Sequence, residues 1–242
     1  MIAKTVDRMV RGFQWPATYL LAALIPLIVW AAIFWLLRST QFPLYATMFW
    51  TGALATLALS RSGWISSKIL SRAIRWERRI TQSLLSFVLL QPTSTILRWG
   101  KTKLGFPEKQ PSENSDSKAW PAEDNWLIRT SPNFFPAASI LLWLLSVLFL
   151  PAFLRSFVLG LGVAYHLLSV YVQLRHPSSN ETSIEYQKRF QWMFLVPMNL
   201  LVLVTGYAFA LQGFSGLQQV VSDLLWPIQT AFAWLKKLTQ NS

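Results

Sequence analysis

Residues 17–37, ATYLLAALIPLIVWAAIFWLL, decide the fold class, because they form an apolar run without a charged side chain. A helix crosses the roughly 30 Å hydrocarbon core of a bilayer in about 20 residues. Lys4, Arg8 and Arg11 precede the run, as basic residues precede the core of a signal peptide. The run is about twice as long as such a core, and no small-residue cleavage site follows it. We therefore predict a retained first membrane span.

Four further apolar stretches predict membrane spans at residues 43–60, 136–154, 156–174 and 190–212. Residues 217–235 are ambiguous, because polar side chains and Pro227 interrupt them, and they fit either a sixth span or an interfacial helix. The chain has 242 residues, is 53% hydrophobic and only 13% charged, and contains 13 tryptophans. This composition excludes a disordered chain and disfavours a soluble one. We expect an all-α, polytopic transmembrane helix bundle of five or six spans in two hairpin halves.

Lysine and arginine are unevenly distributed between the two sides of such a bundle. The N-terminus and the segments after spans two and four carry 18 of the 22 basic residues, whereas the turns after spans one and three carry only Arg38 and Arg155. Cytoplasmic segments are enriched in basic residues, so the N-terminus is predicted to be cytoplasmic. Lys236 and Lys237 favour a returning sixth span. Without a transit peptide, we expect a bacterial inner (plasma) membrane.

Changes of composition divide the chain into four parts. Residues 1–60 form an N-terminal membrane hairpin, and residues 136–242 contain the C-terminal membrane helices. Residues 61–106 are basic and are predicted to lie in the cytoplasm. Residues 107–135 combine proline and serine with acidic side chains, a composition typical of a flexible linker.

The basic part contains the spacing of an amphipathic helix at residues 64–90. Its apolar positions are Ile65, Ile69, Ala73, Trp76, Ile80, Leu84 and Val88, and its polar face contains Lys68, Arg72, Arg75, Arg78, Arg79 and Gln82. Glu77 is the only acid among nine basic residues between positions 61 and 103. These charges either follow simply from the positive-inside rule or bind anionic headgroups or an acidic protein. Nucleic acid is disfavoured, because no recognition fold accompanies the charge.

Small residues form a ridge on the fourth span. Ser156, Gly160 and Ala164 recur every four residues and therefore share one helix face. Such ridges let helix backbones approach closely in lipid. The ridge predicts either packing within the chain or contact with a second copy.

Polar side chains near the middle of spans four and five predict an intramembrane cluster of Tyr165, His166, Ser169 and Asn199. At about 1.5 Å per residue, His166 and Asn199 reach the same depth if the two spans are antiparallel neighbours. An intramembrane histidine is a functional candidate, because an unpaired polar group is costly there. The alternative is a neutral His166 that hydrogen bonds to Asn199 or a backbone carbonyl and joins two helices.

The sequence has none of the common catalytic or cofactor motifs. It lacks cysteine, a zinc-protease pair of histidines, a phosphate-binding loop and a serine-hydrolase elbow. No metal or cofactor is therefore expected, and no catalytic residue is assigned. Spans one to five contain no acid, which weakens the case for a proton- or sodium-coupled transporter. A lipid-acting enzyme would depend on His176, Glu181 and Glu185, whose spacing matches no known motif.

These observations predict a non-enzymatic accessory, scaffolding or assembly subunit of a membrane complex. Its expected partners are anionic headgroups and a membrane protein, or a second copy of the chain. The alternative is a small transporter or channel with a polar path past His166 and Asn199.

Overall fold

The computed structural model describes residues 2–62, 67–89, 127, 130–175 and 190–240, and its secondary structure is entirely helical. Seven α-helices occur in this part of the chain: α1 (Ile2–Arg38), α2 (Pro43–Arg61), α3 (Ser67–Val88), α4 (Ala137–Phe149), α5 (Ala152–Arg175), α6 (Val196–Gln212) and α7 (Phe214–Gln240). Single turns of 3₁₀-helix lie at Ser39–Gln41 and Ser131–Asn133. One turn of π-helix, Gln191–Leu195, leads into α6.

Three helices in the described residues are long and apolar enough to cross a membrane: Gly12–Gln41, Ala152–Val172 and Trp192–Gln212. They lie in α1, in α5, and in α6 with its preceding π-turn. Their length and composition support the insertion of the chain into a membrane. By contrast, α4 has 13 residues and is apolar but short. At 1.5 Å per residue it extends about 20 Å, less than the hydrocarbon core.

The boundary between α4 and α5 differs from the predicted boundary between spans three and four. A residue before proline is driven out of the helical region, and Leu150, which precedes Pro151, has φ −119° and ψ 145°. The helix therefore ends at Phe149 rather than at residue 154. Arg155 lies in the first turn of α5, where its guanidinium donates hydrogen bonds to the carbonyls of Leu150 (2.8 Å) and Val147 (3.2 Å). A residue predicted to lie in an outer turn thus caps the end of α4.

The core lies around α5, which packs against α2, α4 and α6, while α1 packs against α6 and α7. Trp35 of α1, Phe49 of α2 and Ala208 of α6 are completely buried there. Many apolar side chains are exposed on the outer surfaces of these helices. An exposed apolar exterior over a packed interior is what a bundle surrounded by lipid requires.

The small-residue ridge of α5 packs against α2 within the same chain. A Cβ atom on Gly160 would lie 2.0 Å from the carbonyl oxygen of Phe49, and one on Gly52 would lie 2.2 Å from that of Phe157. The two backbones therefore meet where only glycine fits. Ser156 lies on the same ridge, and its hydroxyl donates a hydrogen bond to the carbonyl of Ala210 on α6 (2.7 Å). Ala164 is buried one turn beyond Gly160.

The last helix, α7, turns back on α6 through Gly213, whose φ of 63° favours glycine. It packs against α6 and α1. Arg38 donates two hydrogen bonds to Asp223, at 2.5 and 3.1 Å, and Trp30 stacks on Trp226 with ring centroids 6.1 Å apart. Asp223 is the only acid of α7, so this pair neutralises the one negative charge of the helix.

Candidate functional site

The amphipathic helix α3 has three faces. Successive residues turn by about 100°, which brings Ile69, Trp76, Ile80 and Leu84 onto one exposed apolar face. Ile74, Glu77 and Thr81 form a second face, which is buried. This face packs towards the turn Ser131–Asn133 and α4. Ile69, Ile80 and Leu84 of the predicted apolar face are therefore exposed, whereas Glu77 and Thr81 lie on the face that contacts the protein.

The third face of α3 is basic. Arg72, Arg75, Arg78 and Arg79 are all exposed, and Lys68 lies on the same helix. The only acid of the helix, Glu77, points away from them into the bundle and is 5% exposed. The exposed surface of α3 therefore carries positive charge that no acid of the same helix offsets.

Glu77 reaches the middle of α5. Its Oε1 atom lies 3.5 Å from Nδ1 of His166, and His166 is completely buried. Tyr165, the neighbouring residue on α5, also lies close to the Glu77 carboxylate. His166 lies fourteen residues after the first residue of α5, about 21 Å along its axis. A carboxylate at such a place is costly unless it is paired, and the imidazole is the pairing group within reach.

Further buried polar atoms lie on the same elements. In the described residues, the Thr81 hydroxyl, the Ser139 hydroxyl, Glu77 Oε1 and both ring nitrogens of His166 have no hydrogen-bond partner. Ser139 of α4 contacts α5, since a Cβ on Gly162 would lie 3.1 Å from its Oγ. Buried polar groups of this kind ordinarily have hydrogen-bond partners. These unpaired atoms can therefore bind a proton or a small polar molecule.

The predicted contact between His166 and Asn199 is not formed. Neither imidazole nitrogen has a hydrogen-bond partner. The Asn199 amide donates instead to the carbonyls of Asn133 and Leu195, both at 2.8 Å. Asn199 thus joins α6 to the turn Ser131–Asn133. The Ser169 hydroxyl donates to the backbone carbonyl of His166 at 2.8 Å and does not bind the imidazole.

Sequence reasoning missed Glu77, because it sought acids only inside the predicted spans. Spans one to five themselves contain no acid, but the structure brings Glu77 of α3 next to His166 of α5. The available signal was local. Glu77 is the one acid in a basic segment, and on a helical wheel it falls between the apolar face and the basic face. A charged side chain at the border between these two faces can contact a neighbouring helix, as Glu77 does.

Three residues of the lipid-enzyme hypothesis, His176, Glu181 and Glu185, lie outside the described residues, as do Ile65 and most of the predicted linker. Within the described residues, no group of three or more histidine, aspartate or glutamate side chains is placed to hold a metal ion.

Comparison of the chain with protein-family models, with curated proteins and with solved structures gives no significant match. The structure is helical, and three of its described helices are able to cross a membrane. The amphipathic helix α3 packs against this bundle with its only acid, Glu77, buried.

Proposed function

We propose that this chain is a non-enzymatic accessory or assembly subunit of a membrane complex, and that α3 binds the acidic surface of a membrane-protein partner. One observation carries the proposal: α3 exposes Arg72, Arg75, Arg78 and Arg79 while its only acid, Glu77, is buried. A surface of one charge sign attracts partners of the opposite sign and orients them. The close-packed ridge between α2 and α5 supplies a rigid base for such a surface.

The proposed topology has five or six spans in two hairpin halves, with the N-terminus and α3 in the cytoplasm of a bacterium. The distribution of basic residues supports this orientation. The pairing of Asp223 with Arg38 supports α7 as the sixth span. Because the chain has no cysteine, Thr40→Cys and Ser62→Cys give single reactive positions at opposite ends of α2. In intact cells, an impermeant maleimide should label position 40 and not position 62.

The partner is tested by purifying the tagged chain in mild detergent at native expression and analysing it by native mass spectrometry. We expect a reproducible protein partner that is lost when the four arginines become glutamine. The matched control replaces the same arginines by lysine, which retains the charge and should retain the partner. A lone chain or a homo-oligomer would contradict the proposal. Bound anionic lipid without a protein would identify headgroups as the ligand of the basic face.

A second candidate is a small transporter with its path past His166. The observation that favours it is the buried Glu77, since coupled transporters place acids inside the bundle. In proteoliposomes that contain a pH-sensitive dye, a transporter would move protons down a gradient, and Glu77→Gln would abolish the flux. The accessory-subunit proposal predicts no flux above that of protein-free liposomes.

A further inference from the structure

We propose that Glu77 and His166 form a proton-binding site that controls the docking of α3 on the bundle. The ligand is a single exchangeable proton, held by either the carboxylate or the imidazole. The site does not depend on which partner α3 binds, and its test uses the protein alone. It is formed by two titratable side chains from different helices, 5% and 0% exposed, with 3.5 Å between Oε1 and Nδ1.

The net charge of the Glu77–His166 pair depends on how many protons it holds. With one proton, the pair is neutral overall, either as carboxylate with imidazolium or as carboxylic acid with imidazole. With no proton, the buried pair carries one negative charge, and with two protons it carries one positive charge. Both charged forms are unfavourable in a buried site, so the docked state selects the form with one proton.

No other charged group in the described part of the chain is positioned to compensate for a lost proton. Tyr165 of α5 lies close to Glu77. The turn Ser131–Asn133 and α4, which pack against α3, contain no titratable side chain. On the helices packed against α5, Arg61 of α2 is exposed, Tyr45 of α2 packs against the hydrophobic core, and Tyr207 of α6 contacts Phe49 and Trp50. On α5 itself, Arg155 donates to the carbonyls at the end of α4, and Tyr171 is exposed.

The pH dependence follows from the proton count. In water, a glutamate and a histidine together hold about one proton near pH 5.5 and almost none at about pH 8.5. At alkaline pH, docking of α3 must therefore take up a proton. The docking equilibrium then falls about tenfold for each unit of rising pH. At strongly acidic pH the exposed pair holds two protons, docking releases one, and the equilibrium falls again as the pH decreases.

The experiment measures the distance between spin labels at Ala58→Cys on α2 and Arg75→Cys on α3, both exposed positions, in lipid nanodiscs. Near pH 6 we expect one narrow distribution, from docked α3. Between about pH 7 and pH 9 a second, broader population should grow by about tenfold per pH unit relative to the first. The absence of native cysteine keeps the labelling specific.

Three variants distinguish the proton site from a general effect of pH. Glu77→Gln removes the charge that must be neutralised, so α3 should remain docked up to pH 9. His166→Gln leaves the carboxylate without its partner, so the released population should already be larger than that of the wild type at pH 7. Arg61→Gln, which changes an exposed charge on α2, should keep the wild-type profile. A wild-type distribution that is the same at pH 6 and pH 9, or an unchanged pH dependence in Glu77→Gln, would overturn the proposal.

Discussion

Replacing Gly160 by alanine should force α2 and α5 apart. The added Cβ would lie 2.0 Å from the carbonyl oxygen of Phe49, whereas ordinary van der Waals contact begins at 3.4 Å. The oxygen would therefore have to retreat by about 1.4 Å. It belongs to the backbone of a helix and cannot rotate away, so the whole contact must shift.

The expected loss of stability in Gly160→Ala is the difference between two opposing effects. Forcing an extra methyl group into a packed interior costs about 1–3 kcal/mol, and a backbone obstacle places Gly160→Ala at the upper end. Alanine gains about 1 kcal/mol over glycine in a helix, so the expected net loss is about 2 kcal/mol. Gly12→Ala is the matched control, because no heavy atom lies within 4 Å of its added Cβ. It should stabilise α1 by up to about 1 kcal/mol.

The assay is unfolding by titration with sodium dodecyl sulfate in mixed micelles, followed by tryptophan fluorescence. Gly160→Ala should unfold at a lower detergent fraction than the wild type, and Gly12→Ala at an equal or higher one. Gly52→Ala probes the same contact from α2 and should resemble Gly160→Ala. Equal stability of the Gly160 and Gly12 variants would refute the close approach of α2 and α5.

Three further predictions concern hydrogen bonds between helices. Ser156→Ala removes the bond to the Ala210 carbonyl and should destabilise the bundle by about 0.6 kcal/mol in the same titration, and an unchanged midpoint would contradict that bond. A double-mutant cycle with Arg38→Gln and Asp223→Asn should give a coupling free energy of about 1 kcal/mol in the stability of the bundle. If the two substitutions lower the stability additively, the ion pair does not form. Arg155→Gln removes the cap on α4 and should lower the stability of the bundle by about 1 kcal/mol. Amide hydrogen exchange should become faster only in the last turn of α4, and unchanged exchange in that turn would refute the capping role.

Hydrophobic pattern predicted the helices well, because length and apolar content are properties of a single segment. The run at residues 17–37 lies within α1, and the amphipathic pattern at residues 64–90 contains α3. The end of α4 was predicted five residues too late. A proline at position 151 predicts an extended residue before it, and this local signal outweighs the continuous hydropathy.

The candidate site was predicted only in part, because its geometry depends on the rotation of each helix about its axis. Depth along a helix follows from counting residues, and this count predicted that His166 and Asn199 lie at one level. The direction of a side chain around the axis depends on the packed neighbours, and Asn199 bonds to Asn133 instead. Binary patterning also separates only apolar from polar faces. α3 has separate faces for lipid, water and protein. Describing it requires a third class of residue, the polar residue that contacts the protein, and Glu77 belongs to that class.

The most direct measurement is a crosslink between α3 and α5 in this cysteine-free chain. Glu77→Cys and His166→Cys, combined in one molecule in membranes, should be joined efficiently by a short homobifunctional thiol reagent. The matched pair Arg78→Cys and His166→Cys should not be joined, because Arg78 is exposed on another face of α3. This result would show that the acid of the basic helix is inside the bundle and that the arginines are presented outside it. Equal crosslinking of both pairs, or crosslinking of the Arg78 pair alone, would contradict that arrangement.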